Sequence, residues 1–109
     1  MILYGLTTCD TCRKALKDLQ NAGRIARLHD VRRDGLTDAA IARFHDAFGD
    51  ALLNRRSTTW RSLPESERDR DPVDLLAAHP ALMKRPVIEE ESGRLHLGWD
   101  AATRAALLP

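Results

Sequence analysis

The residues best suited to chemistry are two cysteines three positions apart, in the segment Cys9-Asp10-Thr11-Cys12. A short apolar run at residues 2–4 precedes them and apolar residues recur at helical spacing after them, so the pair lies between a predicted strand and a predicted helix. At such a position, unpaired backbone N–H groups and the positive end of the helix dipole stabilise a thiolate, which is the reactive form of cysteine. We therefore predict that Cys9 has a lowered pKa and acts as the nucleophile.

The spacing also predicts a role for the second cysteine. A mixed disulfide formed at Cys9 can be attacked by Cys12, one helical turn away, and this attack releases the reduced product. Arg13 adds positive charge beside the pair, whereas Asp10 opposes it. The alternative is that both cysteines are small apolar packing residues. The polar loop around them, which includes Thr8, and the little stability that so short a disulfide adds favour the catalytic interpretation.

The composition and the charge of the chain exclude several classes of protein. With 109 residues, of which 43% are hydrophobic and 30% charged, the chain fits one globular domain with its own core. The net charge of +1 gives no field that would attract nucleic acid or an anionic membrane. No apolar run approaches the roughly 20 residues that cross a bilayer, and the first residues do not resemble a signal peptide. We expect a cytoplasmic protein.

The cysteine and histidine content bears on metals and partners. One pair of cysteines is too few for a secreted disulfide scaffold and is usually catalytic, redox-sensing or metal-binding in a reducing compartment. A structural zinc site needs four ligands, usually as two close pairs, but the four histidines are scattered singly. We expect no metal, no nucleic-acid partner and, by default, a monomer.

The pattern of residues in the first half of the chain predicts a βαβ unit followed by a helix. The strand at residues 2–4 is followed by a helix that Gly23 ends, and a second strand is predicted at residues 25–31. Two strands joined through a helix in this way run parallel, and their connection is expected to be a right-handed crossover. Thr37 is a suitable cap for the next helix, which carries apolar residues such as Ile41 and Phe44 on one face.

The second half contains a short helix, a hairpin and a last helix. Asp71 is the predicted N-cap of the short helix, with Pro72 at its first position. Val87-Ile88 and the alternating residues 94–99 lie on either side of a turn at residues 89–93, which predicts a hairpin. The sheet is therefore expected to contain both parallel and antiparallel pairs. Asp100 is the predicted cap of a helix at residues 101–108. The candidates for its buried stripe are Ala102, Ala105, Ala106 and Leu108.

Several short segments, in order along nearly the whole chain, resemble the arsenate reductase/Spx family, most closely its small YffB-like members. This resemblance implies an α/β, thioredoxin-like fold over residues 1–109, with a mixed sheet and a helical insertion at about 37–79. The matching segments are Leu3-Tyr4-Gly5, Cys9-Asp10-Thr11-Cys12-Arg13-Lys14-Ala15, His29-Asp30, Asp34-Gly35-Leu36, Ala51-Leu52-Leu53-Asn54, Thr58-Thr59-Trp60-Arg61, Lys84-Arg85-Pro86 and Leu97-Gly98-Trp99.

The resemblance also assigns residues to the site. It implies that Arg85 is an anion ligand and that the Arg85-Pro86 peptide bond is cis and lies beside the catalytic cysteine. Arg56 falls within a matching region and is the better candidate there for a second anion ligand, ahead of Arg55, although both can equally be exposed surface charges. Trp60 is assigned as a structural residue, a core or hinge anchor.

The chain departs from the arsenate-reducing members at two positions. Those members surround the oxyanion with three arginines, and here the first position is Asn54 and the third is Leu97, so that only Arg85 is kept. Each charge-assisted contact is worth about 1.5–3 kcal/mol, so this loss should weaken arsenate binding considerably.

The leading interpretation is a thiol-disulfide oxidoreductase with no bound cofactor. The resemblance to YffB-like proteins implies dependence on glutathione, so glutathione is the expected co-substrate. The expected thiol donor is glutathione or a glutaredoxin-like protein. The first alternative is a glutaredoxin-coupled arsenate reductase. The second is an Spx-like redox-sensing regulator that binds RNA polymerase, placed last because the chain stops at Leu107-Leu108-Pro109 without the tail of those regulators.

Overall fold

Four strands form one mixed sheet in the computed structural model, which describes residues Met1–Pro109. The strand order is β2-β1-β3-β4, with β1 at Ile2–Gly5, β2 at Arg27–Asp30, β3 at Val87–Glu89 and β4 at Leu95–Leu97. Six α-helices accompany them: α1 at Asp10–Asn21, α2 at Asp38–Phe48, α3 at Thr58–Ser62, α4 at Glu65–Arg68, α5 at Pro72–Ala78 and α6 at Ala101–Leu107. Short 3-10 helices lie at Gly49–Leu52 and Pro80–Leu82.

The chain divides into two compact units. The first consists of Met1–Asp34 and Arg85–Pro109, and it contains the sheet together with α1 and α6. The second is Gly35–Lys84, which contains α2 to α5 and the range predicted as the helical insertion.

The predicted βαβ unit and hairpin are both present in the first unit. Strands β1 and β2 pair in parallel, with Leu3 opposite Leu28, and α1 connects them. Strand β3 pairs antiparallel with both β1 and β4. The α/β class with a mixed sheet is therefore confirmed.

A hydrophobic core cluster of the first unit lies on one face of the sheet. Leu3 and Ile88 are opposite each other on β1 and β3, so their side chains are on the same face. Helices α1 and α6 contribute three of the other members, and Trp99 comes from the turn between β4 and α6. The buried members are Leu3, Ala15, Leu19, Ile88, Trp99 and Leu107.

The predicted buried stripe of α6 is wrong. The three alanines at 102, 105 and 106 are exposed and Leu108 is only half-buried, while Thr103 and Leu107 are buried. A leucine side chain removes much more apolar area from water than an alanine methyl group, so Leu107 determines which face of the helix packs on the core. Thr103, one turn earlier, lies on the same side.

The second unit confirms the two predicted helix caps. The Thr37 hydroxyl accepts a hydrogen bond from the Ala40 backbone N–H at 3.1 Å, and the Asp71 carboxylate accepts one from the Val73 N–H at 3.0 Å. An isolated bridge pairs Leu53 with Met83. The fully buried side chains of this unit include Ile41, Phe44, Leu52, Leu75, Leu76 and Leu82.

Among the helices, none combines the length and the apolar character that a bilayer crossing requires. No group of three or more histidine, cysteine, aspartate or glutamate side chains is placed to hold a metal ion.

Helix α1 packs against β1 at the point where Cys12 lies over Gly5. A Cβ atom added to Gly5 would overlap the Cys12 Sγ atom and would lie 3.3 Å from the Cys12 Cβ atom. Gly5 is not in the left-handed region. Glycine is needed here because of the space that the Cys12 side chain occupies, rather than because of the backbone conformation.

We predict that Gly5→Ala destabilises the protein by about 1–3 kcal/mol, the usual cost of overpacking a buried contact. The cause is specific, so Cys12→Ala in the same chain should recover part of the loss. Urea denaturation of the two single variants and the double variant, under reducing conditions, measures this coupling. Strictly additive losses would show that Gly5 and Cys12 do not compete for the same space.

Candidate functional site

Cys9 is the N-cap residue of α1, as the sequence predicted. Its backbone is extended, with φ −88° and ψ 119°, and its carbonyl accepts the Arg13 N–H bond at 3.0 Å that begins the helix. Its own N–H donates to the Leu6 carbonyl at 3.1 Å, which closes a tight turn over residues 6–9. The side chain is half-buried, so the sulfur is accessible beside the unpaired N–H groups of the first helical turn.

The surroundings of Cys9 favour its thiolate. Burial by itself raises the pKa of Cys9. Hydrogen bonding from the Cys12 backbone N–H, the Cys12 thiol and the Arg85 guanidinium, together with the positive charge of Arg85, outweighs this burial. The pKa of Cys9 is consequently lowered, in the predicted direction.

Cys12 has the opposite behaviour. Its side chain is completely buried, and this burial raises the pKa of Cys12 to about 12, with the nearby Cys9 thiolate adding to the rise and the Leu6 backbone N–H opposing it. Neither cysteine is in a disulfide. Burial keeps the Cys12 thiol protonated at neutral pH, whereas the surroundings of Cys9 favour its ionisation, so the site pairs a more acidic, partly accessible thiol with a buried, protonated one, one helical turn away.

Arg85 and Pro86 come to the site from the start of β3. The Arg85-Pro86 peptide bond is cis, as the resemblance implied. Pro86 is buried, and its carbonyl accepts a hydrogen bond from the Gly98 N–H at 2.8 Å. The structure thus joins Arg85 to Cys9, although 75 residues of chain separate them in sequence.

Arg13, Asp10 and Thr8 lie at the surface of the same unit. The Arg13 guanidinium forms an exposed ion pair with Asp10, so its charge is shared with that carboxylate. The groups that lower the pKa of Cys9 are those of Cys12 and Arg85. Thr8 is exposed in the turn that leads into Cys9. A role of Arg13 in binding an anion stays a prediction.

Arg56 and Trp60 belong to the second unit. Arg56 is exposed and lines a groove of about 510 Å³ whose other polar lining residues are Asn54, Arg55 and Lys84. The ring of Trp60 is flanked by the guanidinium groups of Arg55 and Arg68, at 5.5 and 5.6 Å from its centroid. Trp60 is half-buried, and it anchors cationic side chains of this unit.

Sequence reasoning missed Asp30 as a functional residue and noted it only as part of a matching segment. Its carboxylate is buried at the end of β2 and accepts hydrogen bonds from the Thr7 N–H and hydroxyl at 3.1 and 3.0 Å. It also accepts the N–H groups of Arg33 and Arg32, both at 2.9 Å. Hydrogen bonding from Arg33 and Thr7 holds the pKa of Asp30 well below its usual range.

One signal in the sequence could have drawn attention to Asp30. It is the last residue of a strand predicted to run parallel to β1, and the carboxyl ends of neighbouring parallel strands meet at one edge of a sheet. An acidic residue at that edge therefore lies beside the loop that carries the nucleophile.

The fold and the site define a class of protein. An acidic, accessible thiol at the start of the first helix, followed by a buried thiol one turn later, is the arrangement of a thiol-disulfide oxidoreductase on a thioredoxin-like fold. A sequence model of the ArsC family matches residues 4–107, which is nearly the whole chain. The chain belongs to the ArsC family.

Individual proteins of known sequence or structure agree with this assignment. An uncharacterized protein of Haemophilus influenzae is 39% identical over 103 residues, covering 90% of each chain. The solved structure of a YffB protein is 34% identical and superimposes with a TM-score of 0.88 over 99% of this chain and 98% of that one. An arsenate reductase related protein from Brucella melitensis is 36% identical, with a TM-score of 0.74 over 96% and 91% of the two chains.

We predict that Arg85→Ala slows alkylation of Cys9 by iodoacetamide severalfold near neutral pH. Loss of the guanidinium raises the pKa of Cys9, so the alkylation profile moves to higher pH while the rate at high pH, where all of Cys9 is thiolate, is retained. The matched control is Arg94→Ala, which removes an exposed arginine from the hairpin of the same unit. Equal pH profiles of Cys9 alkylation for wild type and Arg85→Ala would show that Arg85 does not influence the ionisation of Cys9.

A second prediction concerns the free energy of unfolding at alkaline pH. The unfolded Cys12 thiol ionises from about pH 8.5, whereas the native thiol stays protonated. The free energy of unfolding should therefore fall above about pH 9, by up to about 1.4 kcal/mol per pH unit, until the native pKa is reached. That native pKa is about 12.

Cys12→Ala removes this contribution, and the other titration it alters is that of Cys9, whose pKa the Cys12 thiol helps to lower. Its stability should decline less steeply than that of wild type when reduced samples are denatured in urea at a series of alkaline pH values. Parallel declines would show that Cys12 ionises as easily in the native protein as in the unfolded chain.

Proposed function

We propose that this protein is a glutathione-dependent thiol-disulfide oxidoreductase in which Cys9 is the nucleophile and Cys12 the resolving thiol. The observation that supports this most strongly is the opposite shift of the two pKa values, lowered at Cys9 and raised to about 12 at Cys12. A disulfide exchange that proceeds in two steps needs one thiol already ionised and a second one held in reserve.

The reaction begins when the Cys9 thiolate attacks one sulfur of a substrate disulfide. A Cys9–substrate disulfide forms, the substrate disulfide breaks, and the other half leaves as a thiolate that takes a proton from solvent. Cys12 then loses its proton and attacks the Cys9 sulfur, which releases the second half of the substrate and leaves a Cys9–Cys12 disulfide. Two molecules of glutathione reduce this disulfide, and they leave as oxidised glutathione.

A shorter route omits Cys12. The glutathione thiolate attacks the substrate sulfur of the Cys9 mixed disulfide, which forms a glutathione–substrate disulfide and releases the Cys9 thiolate. The two routes differ in whether Cys12 is essential, which makes the Cys12→Ser variant the informative one.

Arginine side chains account for a preference for glutathione. This tripeptide carries two carboxylates, and Arg85, already hydrogen bonded to Cys9, offers a charged planar donor group beside the reacting sulfur. Arg56, exposed in a groove that also contains Arg55 and Lys84, is proposed as a second anion ligand. No bound cofactor is required for either role.

Reduction of arsenate is the alternative that the Brucella melitensis relative suggests, since that protein is described as arsenate reductase related. Two positions argue against it here. The Asn54 side-chain oxygen accepts a hydrogen bond from the Arg56 N–H at 3.1 Å, and Leu97 is a half-buried apolar residue of β4. Neither position supplies a cation for an oxyanion.

The proposal includes the setting in which the protein works. Both cysteines are free thiols, which persist in a reducing compartment, so we place the protein in the cytoplasm. It acts as a monomer on glutathione or on a glutaredoxin-like donor, and it engages neither nucleic acid nor membrane, consistent with its net charge of +1.

Intact-mass analysis after incubation with oxidised glutathione tests this proposal. Wild type should gain a glutathione adduct, or lose the mass of two hydrogen atoms when a Cys9–Cys12 disulfide forms and oxidised glutathione is reduced to two thiols, and Cys9→Ser should do neither. Cys12→Ser should accumulate the Cys9 adduct, because the resolving thiol is missing. Adduct formation that persists in Cys9→Ser would overturn the assignment of the nucleophile.

Two further arms separate the alternatives. Arsenate turnover by wild type would show that Arg85 and its neighbours suffice without the two missing arginines. Capture of the RNA polymerase α subunit by oxidised but not reduced protein, with no glutathione chemistry, would favour the regulator.

A further inference from the structure

The carboxylate of Asp30 connects two loops at the end of the sheet that carries the nucleophile. One oxygen accepts the backbone N–H and the hydroxyl of Thr7, two residues before Cys9. The other accepts the backbone N–H groups of Arg32 and Arg33, in the turn that follows β2. One buried group thereby fixes the approach to Cys9 and the end of the neighbouring strand together.

We propose that Asp30 is a positioning residue for the nucleophile: by holding Thr7, it fixes the turn over residues 6–9 and so keeps the Cys9 sulfur against the start of α1 and beside Arg85. This inference rests on the proposed role of Cys9. It gives a role to Asp30, which takes no part in the proposed reaction.

Packing fixes the start of this turn at the buried Leu6 but does not fix its middle. Thr7 and Thr8, its two central residues, are exposed, so burial does not fix their conformation. The bond from the Cys9 N–H to the Leu6 carbonyl closes the turn but does not tie it to another element. The two hydrogen bonds from Thr7 to Asp30 tie it to β2, across 23 residues of sequence.

The charge of Asp30 cannot itself explain a benefit to Cys9. A nearby negative charge disfavours a thiolate, so an aspartate acting only through its field would make Cys9 less reactive. Asp30 is also kept ionised throughout the physiological range, since hydrogen bonding from Arg33 and Thr7 lowers the pKa of its carboxyl. Its contribution is therefore geometric, and the geometric and electrostatic effects have opposite signs.

This opposition makes the test decisive. The rate of Cys9 alkylation by iodoacetamide is measured against pH by mass spectrometry of the Cys9 peptide, in variants shown to be folded by circular dichroism. Thr7→Val removes the hydroxyl that donates to Asp30 and leaves the charge in place. We expect alkylation near neutral pH to slow severalfold, with the profile shifted to higher pH, whereas Thr7→Ser, which keeps the hydroxyl, should behave as wild type.

Asp30→Asn removes the charge and one of the two carboxylate acceptors. Positioning predicts slower alkylation near neutral pH, while an effect of charge alone predicts faster alkylation. If Asp30→Asn does not fold, the comparison of Thr7→Val with Thr7→Ser still tests the inference. The control is Asp100→Ala, which removes a carboxylate bond to a backbone N–H, at 2.9 Å on Thr103, elsewhere in the same unit. It should lower stability without moving the Cys9 profile.

An unchanged profile in Thr7→Val, faster alkylation in Asp30→Asn, or an equal shift in Asp100→Ala would overturn the inference. Iodoacetamide needs neither glutathione nor a partner, so this result is separate from the proposed function. A wild-type protein that forms no glutathione adduct, together with a shifted Thr7→Val profile, would refute glutathione chemistry and leave the role of Asp30 intact.

Discussion

The close approach of helix α1 to the end of strand β1 determines the rest of the site. Cys12 occupies space that a side chain at position 5 would need, so the helix begins directly above the strand. Cys9, as the residue before the first helical position, is then held at the edge of the sheet with its sulfur near unpaired N–H groups. If the helix began one turn later or packed farther away, the two cysteines would lose the difference in surroundings that sets them apart.

This geometry separates two side chains of the same type into two chemical states. Both thiols experience burial, which opposes ionisation, and Arg85 favours the ionised form of each, but only at Cys9, the less buried of the two, do the hydrogen-bond donors and this arginine outweigh burial. Because Cys12 donates toward Cys9, ionisation of the first thiol makes ionisation of the second harder. Ionisation is therefore favoured at Cys9, where the Cys12 donors and Arg85 together outweigh burial, and disfavoured at Cys12.

Local patterns in the sequence were sufficient to predict most of the elements. The caps at Thr37, Asp71 and Asp100 all accept hydrogen bonds from the first helical turn, since capping depends on residues within three positions. The placement of Cys9 and the parallel pairing of β1 with β2 follow from equally local signals. The buried face of α6 could not be predicted from the local pattern, because its three alanines do not favour one face of the helix. Leu107 determines which face is buried.

The features of the site that the sequence did not reveal depend on contacts between distant segments. From the sequence alone, Gly5 is only the end of a strand, and its need for space is evident only from the position of Cys12. Asp30 is likewise only an aspartate at a strand end unless its hydrogen bonds from Thr7 are known. Arg85 was assigned only through resemblance, since an isolated Lys-Arg pair is usually a solvated surface. In each case, the property that matters is a distance that no local pattern encodes.

The position of Arg85 in the chain has a consequence for the order in which the site is completed. Every other group that stabilises the Cys9 thiolate comes from the first 12 residues, whereas this arginine follows the entire second unit, Gly35–Lys84. A ribosome has therefore synthesised more than three quarters of the 109 residues before the guanidinium exists. The nascent thiol is less acidic than the mature one during that time, so full nucleophilicity is acquired only by a chain that is nearly finished.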